Sequence, residues 1–245
     1  MRLFSTKKRP VHMGPYPTER LKRGRMPDLN EVPPMCALSF RRPEAPESIV
    51  NAMCEYQAML DAIRDGMINK AVSEIPVDPK ERTDHLKAFG FFSDASMVGV
   101  CRLQDTDLLS KPFNNPDIAH LAEALRTRQT KTLAAGIDGI MADLKESMEA
   151  PPTTINGHTH ALIFLYENPR DIRSDEPGTD WLKDALSHRA CLRANETAAV
   201  IANYIRLLGY DAKSHSGSAS DVDLNQLAVT AGLVWCIKGQ LIAPY

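Results

Sequence analysis

His158 and His160 bracket the start of an apolar run, His160 to Glu167 (HALIFLYE). On a strand, side chains two positions apart share a face, so both imidazoles could address one metal ion. Two ligands do not make a site, and His12, His85, His120, His188 and His215 are scattered along the chain. The favoured reading is structural or exposed histidines and no metal. The loop Ser216-Gly-Ser-Ala-Ser220 reads as flexible and polar, with the flexibility for phosphate contact, but lacks the Gly-x-x-x-x-Gly-Lys-Ser/Thr spacing. Neither a GxGxxG nor a GxSxG motif occurs. Cys36, Cys54, Cys101, Cys191 and Cys236 contain no CxxC pair, so zinc-knuckle and iron–sulfur ligand runs are missing from the sequence. Cys101 and Cys236 sit among apolar residues and read as inert buried thiols. Arg189, Arg193 and Glu196 fall on one helical face, where they can pair as a solvated ladder.

The elements that must position these groups are mostly helical. Ser48 can cap a helix whose apolar positions Ile49, Met53, Tyr56, Met59, Leu60, Ile63 and Met67 recur at three- and four-residue steps, a pattern that predicts a core-facing stripe. Asp78-Pro79 starts a second helix, a cap followed by proline at the first helical position. Ser96 to Leu103 has the length and apolar content of a buried strand. Helices follow at about 116–128 and 131–149, and Pro151-Pro152 stops the latter. HALIFLYE is the strongest strand signal. A long helix is expected from Thr179 to Leu208, ended by Gly209 in a left-handed cap. A short strand at Asp211–His215, a last helix from Asp223 to about Ala231 and an apolar tail at 233–237 complete the chain. The fold class is α/β (α+β), helix-rich with a small buried sheet.

Composition narrows the function classes. The 245 residues are 43% hydrophobic and 24% charged, with net charge −2, which suits a soluble globular protein. Near-neutral charge gives no reason to expect nucleic acid as the main partner, and no apolar run approaches the roughly 20 residues of a membrane span. The basic N-terminus and Arg41-Arg42 are not followed by a hydrophobic segment, so a cytoplasmic location is expected. Residues 1–46 are rich in proline, arginine and lysine and read as a basic extended arm. Residues 47–245 read as the folded module.

Three blocks then resemble one family. They are Leu86-Lys-Ala-Phe-Gly followed by Ala95-Ser-Met-Val-Gly-Val-Cys-Arg-Leu103; Glu196-Thr-Ala-Ala-Val-Ile-Ala-Asn-Tyr-Ile-Arg-Leu-Leu-Gly-Tyr-Asp-Ala212; and Leu227-Ala-Val-Thr-Ala-Gly-Leu233 with Gly239-Gln-Leu-Ile-Ala-Pro-Tyr245. In this order they resemble the corrinoid-dependent reductive dehalogenases and, more distantly, the epoxyqueuosine reductases, over about residues 80–245. The resemblance implies a nitroreductase-like module that holds cobalamin. It also implies a following module with 4Fe–4S clusters, and a tyrosine that donates a proton during carbon–halogen cleavage.

At the positions that matter the sequence departs from that pattern. The family's tyrosine aligns on or near Cys191, a candidate acid of different reach. A glycine-rich turn is replaced by Val234-Trp235-Cys236-Ile237, and the polar loop before the last helix reads Ser218-Ala-Ser-Asp-Val222. Tyr245 falls just where cluster-binding cysteines are expected. The resemblance therefore implies a degenerate, non-catalytic module, with bulky side chains where a corrin would sit and no cofactor of its own. It would scaffold an iron–sulfur/corrinoid catalytic module supplied in cis or in trans. Two alternatives stay open. One is a corrin-binding catalytic subunit fed by a separate iron–sulfur protein, with Cys191 as acid and His188 or Tyr204 near the ligand. The other is an interaction protein that recruits a partner through its basic arm.

Overall fold

A computed structural model describes residues 48–127, 157–167, 175, 177–182, 185–237 and 239–242. The expected basic arm, the helix at 131–149 and the Pro151-Pro152 stop lie outside the described residues. The architecture is mixed α/β with small antiparallel sheets. Helix α1 spans Ile49–Ala62 and α2 Pro79–Phe92; strand β1 is Met97–Arg102 and β2 Leu108–Phe113; α3 is Asp117–Thr127 and β3 His160–Leu165. Then come α4 (Thr179–Leu182), α5 (Ala185–Leu207), β4 (Ser220–Val222), α6 (Leu224–Thr230), β5 (Trp235–Ile237) and β6 (Gln240–Ile242).

Local chemistry sets the helix starts as the sequence predicts. Ser48 Oγ accepts the Val50 N–H at 3.3 Å, Asp78 accepts the Lys80 N–H at 3.0 Å, and Asp223 accepts the N–H groups of Asn225 and Gln226. Gly209 ends α5 at φ +87°, and the main chain of Ala71 and Val72 lies so close that a Cβ there would meet Ala71 O at 2.6 Å.

Strands β1 and β3 pair antiparallel in a two-stranded sheet, with Met97 opposite Leu165 and Arg102 opposite His160. Each face is covered. Val98, Leu162, Phe164 and Tyr166 pack with Phe91 and Ala95 at the end of α2. Met97, Ile163 and Leu165 pack with Ala228, Leu233 and Val234. Gly90 lets α2 approach the sheet, since a Cβ there would lie 2.7 Å from Val98 and 2.8 Å from Phe164. Phe91, 2% exposed, contributes about 2 kcal/mol by burial.

Several expectations are corrected. Asp211–His215 forms no strand; it is an irregular connector, with buried Ser214 donating its N–H to Arg64 O at 2.9 Å. Ser216–Ser220 is not a flexible surface loop: Ser216, Ser218, Ala219 and Ser220 are buried, and Ser220 opens β4, which pairs with β2. The apolar tail turns back at Gly239 (φ +79°) into the β5–β6 hairpin. Helix α1 is the sharpest reversal. Its buried stripe is Val50, Cys54, Gln57, Ala58 and Asp61, continued by Arg64, whereas Ile49, Tyr56, Met59 and Ile63 are exposed. Met53 of the expected stripe does pack against Val50, Cys54 and Ala185, while partners from the start of α3, from α5 and from the 214–221 segment hold Gln57, Asp61 and Arg64 on the same buried side.

Candidate functional site

Along α5, Cys191, Ala194, Asn195, Ala198, Ile201, Ala202 and Ile205 recur at three- and four-residue steps and share one face. Three of these are alanines, whose single methyl groups cannot fill the space between the helix and β3. A cavity of about 970 Å³ opens there, bounded by α5, by β3 from His160 to Tyr166, by residues 211–217 and by Leu227 and Ala228 of α6. That volume is at the upper end of the range of about 300–1,000 Å³ for small-molecule pockets.

The charged groups in and behind this wall are spent on one another. Lys213 Nζ lies 2.6 Å from Asp221 Oδ2, and Arg64 Nη2 donates to Asp221 Oδ1 at 3.0 Å. His158 Nε2 is 3.0 Å from Asp211. The His215 imidazole accepts the Asp221 N–H at 3.3 Å, and burial pushes its pKa down to about 4, so it is neutral at pH 7. Burial pushes the Cys191 thiol up to about 11. At neutral pH Cys191 keeps its proton and is a poor nucleophile.

Behind Asn195 lies a polar hub that the sequence reading missed. The buried Asp61 carboxylate accepts from Asn195 Nδ2 (2.8 Å), Asn115 Nδ2 (2.9 Å), Ser216 Oγ (2.8 Å) and Ser218 Oγ (2.5 Å). These donors join α1, the start of α3, α5 and the serine loop. Asn195 is 2% exposed, and its Oδ1 finds no hydrogen-bond partner. Gln57, Asp61 and Arg64 at three- and four-residue spacing were the available signal: a second, polar stripe on α1 complementary to the apolar one.

Of the residues singled out from the sequence, His158, His160, Cys191, His215 and Ser216 all line this cavity, without forming one cluster. His160 is exposed beside Thr159 Oγ1 (2.8 Å) and His158 turns to Asp211, so they form no pair. Among the described residues no group of three metal-ligating side chains occurs. Arg193 pairs with Asp94 in place of the expected ladder with Glu196, and lies 6.0 Å over the Tyr166 ring. Cys191 does line the cavity. His188 is buried outside its wall, and Tyr204 stacks edge-on against Phe89 (5.0 Å) on another side of α5. Cys101 is half-buried and Cys236 is exposed, which corrects the expectation of buried thiols. Trp235 is half-buried in the hairpin and outside the cavity wall, so the expected blocking of this space by bulky side chains is not found.

No family model and no curated protein matches the chain. Solved structures do. A catabolic reductive dehalogenase, NpRdhA, is 30% identical with a TM-score of 0.60; the match covers 100% of this chain and 29% of that one. The same enzyme in complex with 3-bromo-4-hydroxybenzoic acid gives a TM-score of 0.61 at 30% identity, again over 100% and 29%. A structure described as suggesting a mechanism for B12-dependent dehalogenation matches at 30% identity and 0.61, over 100% of this chain and 28% of that one. The chain thus spans less than a third of the length of the structures it matches.

A cobalamin carries a rim of amides and an anionic tail, which need free donors and cations. The cavity wall is largely aliphatic, Lys213 is committed to Asp221, Arg82 donates to the Pro76 and Val77 carbonyls, and the buried orphan Asn195 Oδ1 is an acceptor. These residues do not fit that group, and no step is derived through it. The structures support no extension of the relationship to the epoxyqueuosine reductases. In fold and in sequence, the chain is related to the reductive dehalogenases.

Proposed function

We propose that this chain is a non-catalytic, nitroreductase-like module that scaffolds the catalytic half of a corrinoid- and iron–sulfur-dependent reductive dehalogenase, supplied in cis or in trans. The observation that carries this reading is the outward apolar stripe of helix α1. Its buried face mixes Gln57 and Asp61 with Val50, Cys54 and Ala58, while Ile49 (43% exposed), Tyr56 (63%), Met59 (39%) and Ile63 (47%) form an outward apolar stripe. Large apolar side chains aligned on one exposed face suit packing against a further module. The cavity chemistry is consistent with that role, because among the described residues Lys213 and Arg82 of its wall pair within the fold. Among the described residues no helix is long and apolar enough to cross a membrane.

The test is titration of the purified chain with cobalamin under reducing conditions. No stoichiometric corrin spectrum is expected, and one corrin per chain would overturn the reading. The alternative, a corrin-binding subunit with Cys191 as acid, has Cys191 in the cavity wall but not a lining that fits a corrin. It requires Cys191→Ala to abolish dehalogenation when the chain is mixed with an iron–sulfur partner.

A further inference from the structure

Two polar groups in the cavity wall lack partners among the described residues, and they are of opposite kinds. Asn195 donates Nδ2 to Asp61 Oδ1 at 2.8 Å, and since a carboxylate only accepts, the amide oxygen of Asn195 stands on the other side. That Oδ1 is buried and has no hydrogen-bond partner. His215 is the counterpart. Its Nδ1 accepts the Asp221 N–H at 3.3 Å, and burial keeps the ring neutral at pH 7, so the single ring proton sits on Nε2. Among the described residues this Nε2–H meets no acceptor.

The two groups adjoin. Asp61 Oδ1 accepts from both Asn195 Nδ2 and Ser216 Oγ at 2.8 Å, so residues 195 and 216 stand side by side, with His215 next in the chain. An acceptor and a donor at one place on the wall meet a single edge of a ligand. A primary carboxamide presents an N–H and its carbonyl oxygen on one edge, whereas a trans secondary amide turns them to opposite sides. The rest of the lining disfavours charge. Lys213 is held by Asp221 at 2.6 Å, His158 by Asp211 at 3.0 Å, and Arg82 by two main-chain carbonyls. A charged ligand would enter this largely aliphatic space without a counter-ion.

We propose that the cavity binds an uncharged, apolar small molecule through a primary carboxamide, which donates to Asn195 Oδ1 and accepts from His215 Nε2. A few placed polar groups in an otherwise apolar pocket fix a ligand's orientation, and a buried group without a partner gains the most from finding one. The alanines at 194, 198 and 202 leave room for the apolar frame of the ligand. The inference rests on these wall residues and does not depend on the dehalogenase reading.

The probe is 2-naphthamide, titrated into the full chain and followed by its own fluorescence. Saturable one-to-one binding is expected. N,N-dimethyl-2-naphthamide, which cannot donate, and 2-naphthoate, which carries a charge, should each bind at least about tenfold more weakly. His215→Phe keeps a ring but removes the N–H, and Ala198→Trp fills the cavity from α5; each should weaken 2-naphthamide binding with the circular dichroism spectrum preserved. Absence of binding overturns the proposal. So does equal binding of the dimethyl compound or of the naphthoate, and so does binding that neither variant reduces. The three compounds are compared on the native chain, so that comparison decides even where a variant fails to fold.

Discussion

Asp61 on α1 and Asn195 on α5 meet through a 2.8 Å hydrogen bond, Nδ2 to Oδ1, between two side chains each at most 3% exposed. This bond ties the polar stripe of α1 to the cavity face of α5. It places the orphan Asn195 Oδ1 on a helix held by a buried carboxylate.

Asp61→Ala should cost about 3 kcal/mol or more of unfolding free energy in urea, because four buried donors lose their acceptor together. Asp61→Asn should cost less, since one amide oxygen remains. A loss below about 1 kcal/mol for the alanine variant would show that the hub does not hold the helices.

Stability should fall on acidification from about pH 6.5 toward pH 4. Burial lowers the folded pKa of His215 to about 4, below its usual value. The unfolded chain therefore takes up a proton first, and the contribution present above the unfolded pKa is lost as pH drops. Asp221 faces His215, and so do Arg64, Lys213 and His158. Burial raises the pKa of Asp221, but the hydrogen bond from Lys213 and the charge of Arg64 outweigh it and hold it below the usual carboxylate range, which adds acid sensitivity at still lower pH. His215→Gln should flatten the pH 4–6.5 portion of the urea stability curve; an unchanged slope would contradict this.

Gly90→Ala should destabilise by about 1–3 kcal/mol despite the better helix propensity of alanine, because the new methyl would overlap Val98 and Phe164. Gly157→Ala, with nothing within 4 Å of the added carbon, is the matched comparison. Thermal melts of the two variants should separate clearly.

Maleimide at pH 7.5, with labelled sites mapped by peptide mass, should modify Cys236 well before Cys191. The first is exposed, and the second is partly buried with its thiol pushed up to about 11. Equal rates would mean that the cavity face of α5 is open to water.

Ile63→Ser should change the stability of the isolated chain by less than about 0.5 kcal/mol, since Ile63 is already exposed, whereas Ala58→Ser at a fully buried position should cost more. A large effect at Ile63 would argue against an outward apolar stripe.

Helix starts at Ser48, Asp78 and Asp223, the left-handed stop at Gly209 and the two six-residue strands β1 and β3 were legible in the sequence. Each is a local event, set by one side chain reaching a neighbouring N–H, one glycine torsion, or a short run of apolar residues. The resemblance to the dehalogenases was legible too, since it rests on residue order alone. Which face of α1 turns inward was not. Its apolar and polar stripes are both regular, and the choice depended on donors from Asn115, Asn195, Ser216 and Ser218, which only the tertiary fold gathers around Asp61. The cavity was hidden for the same reason: alanines at 194, 198 and 202 read as good helix formers. Their smallness becomes a cavity only when β3 is set beside them.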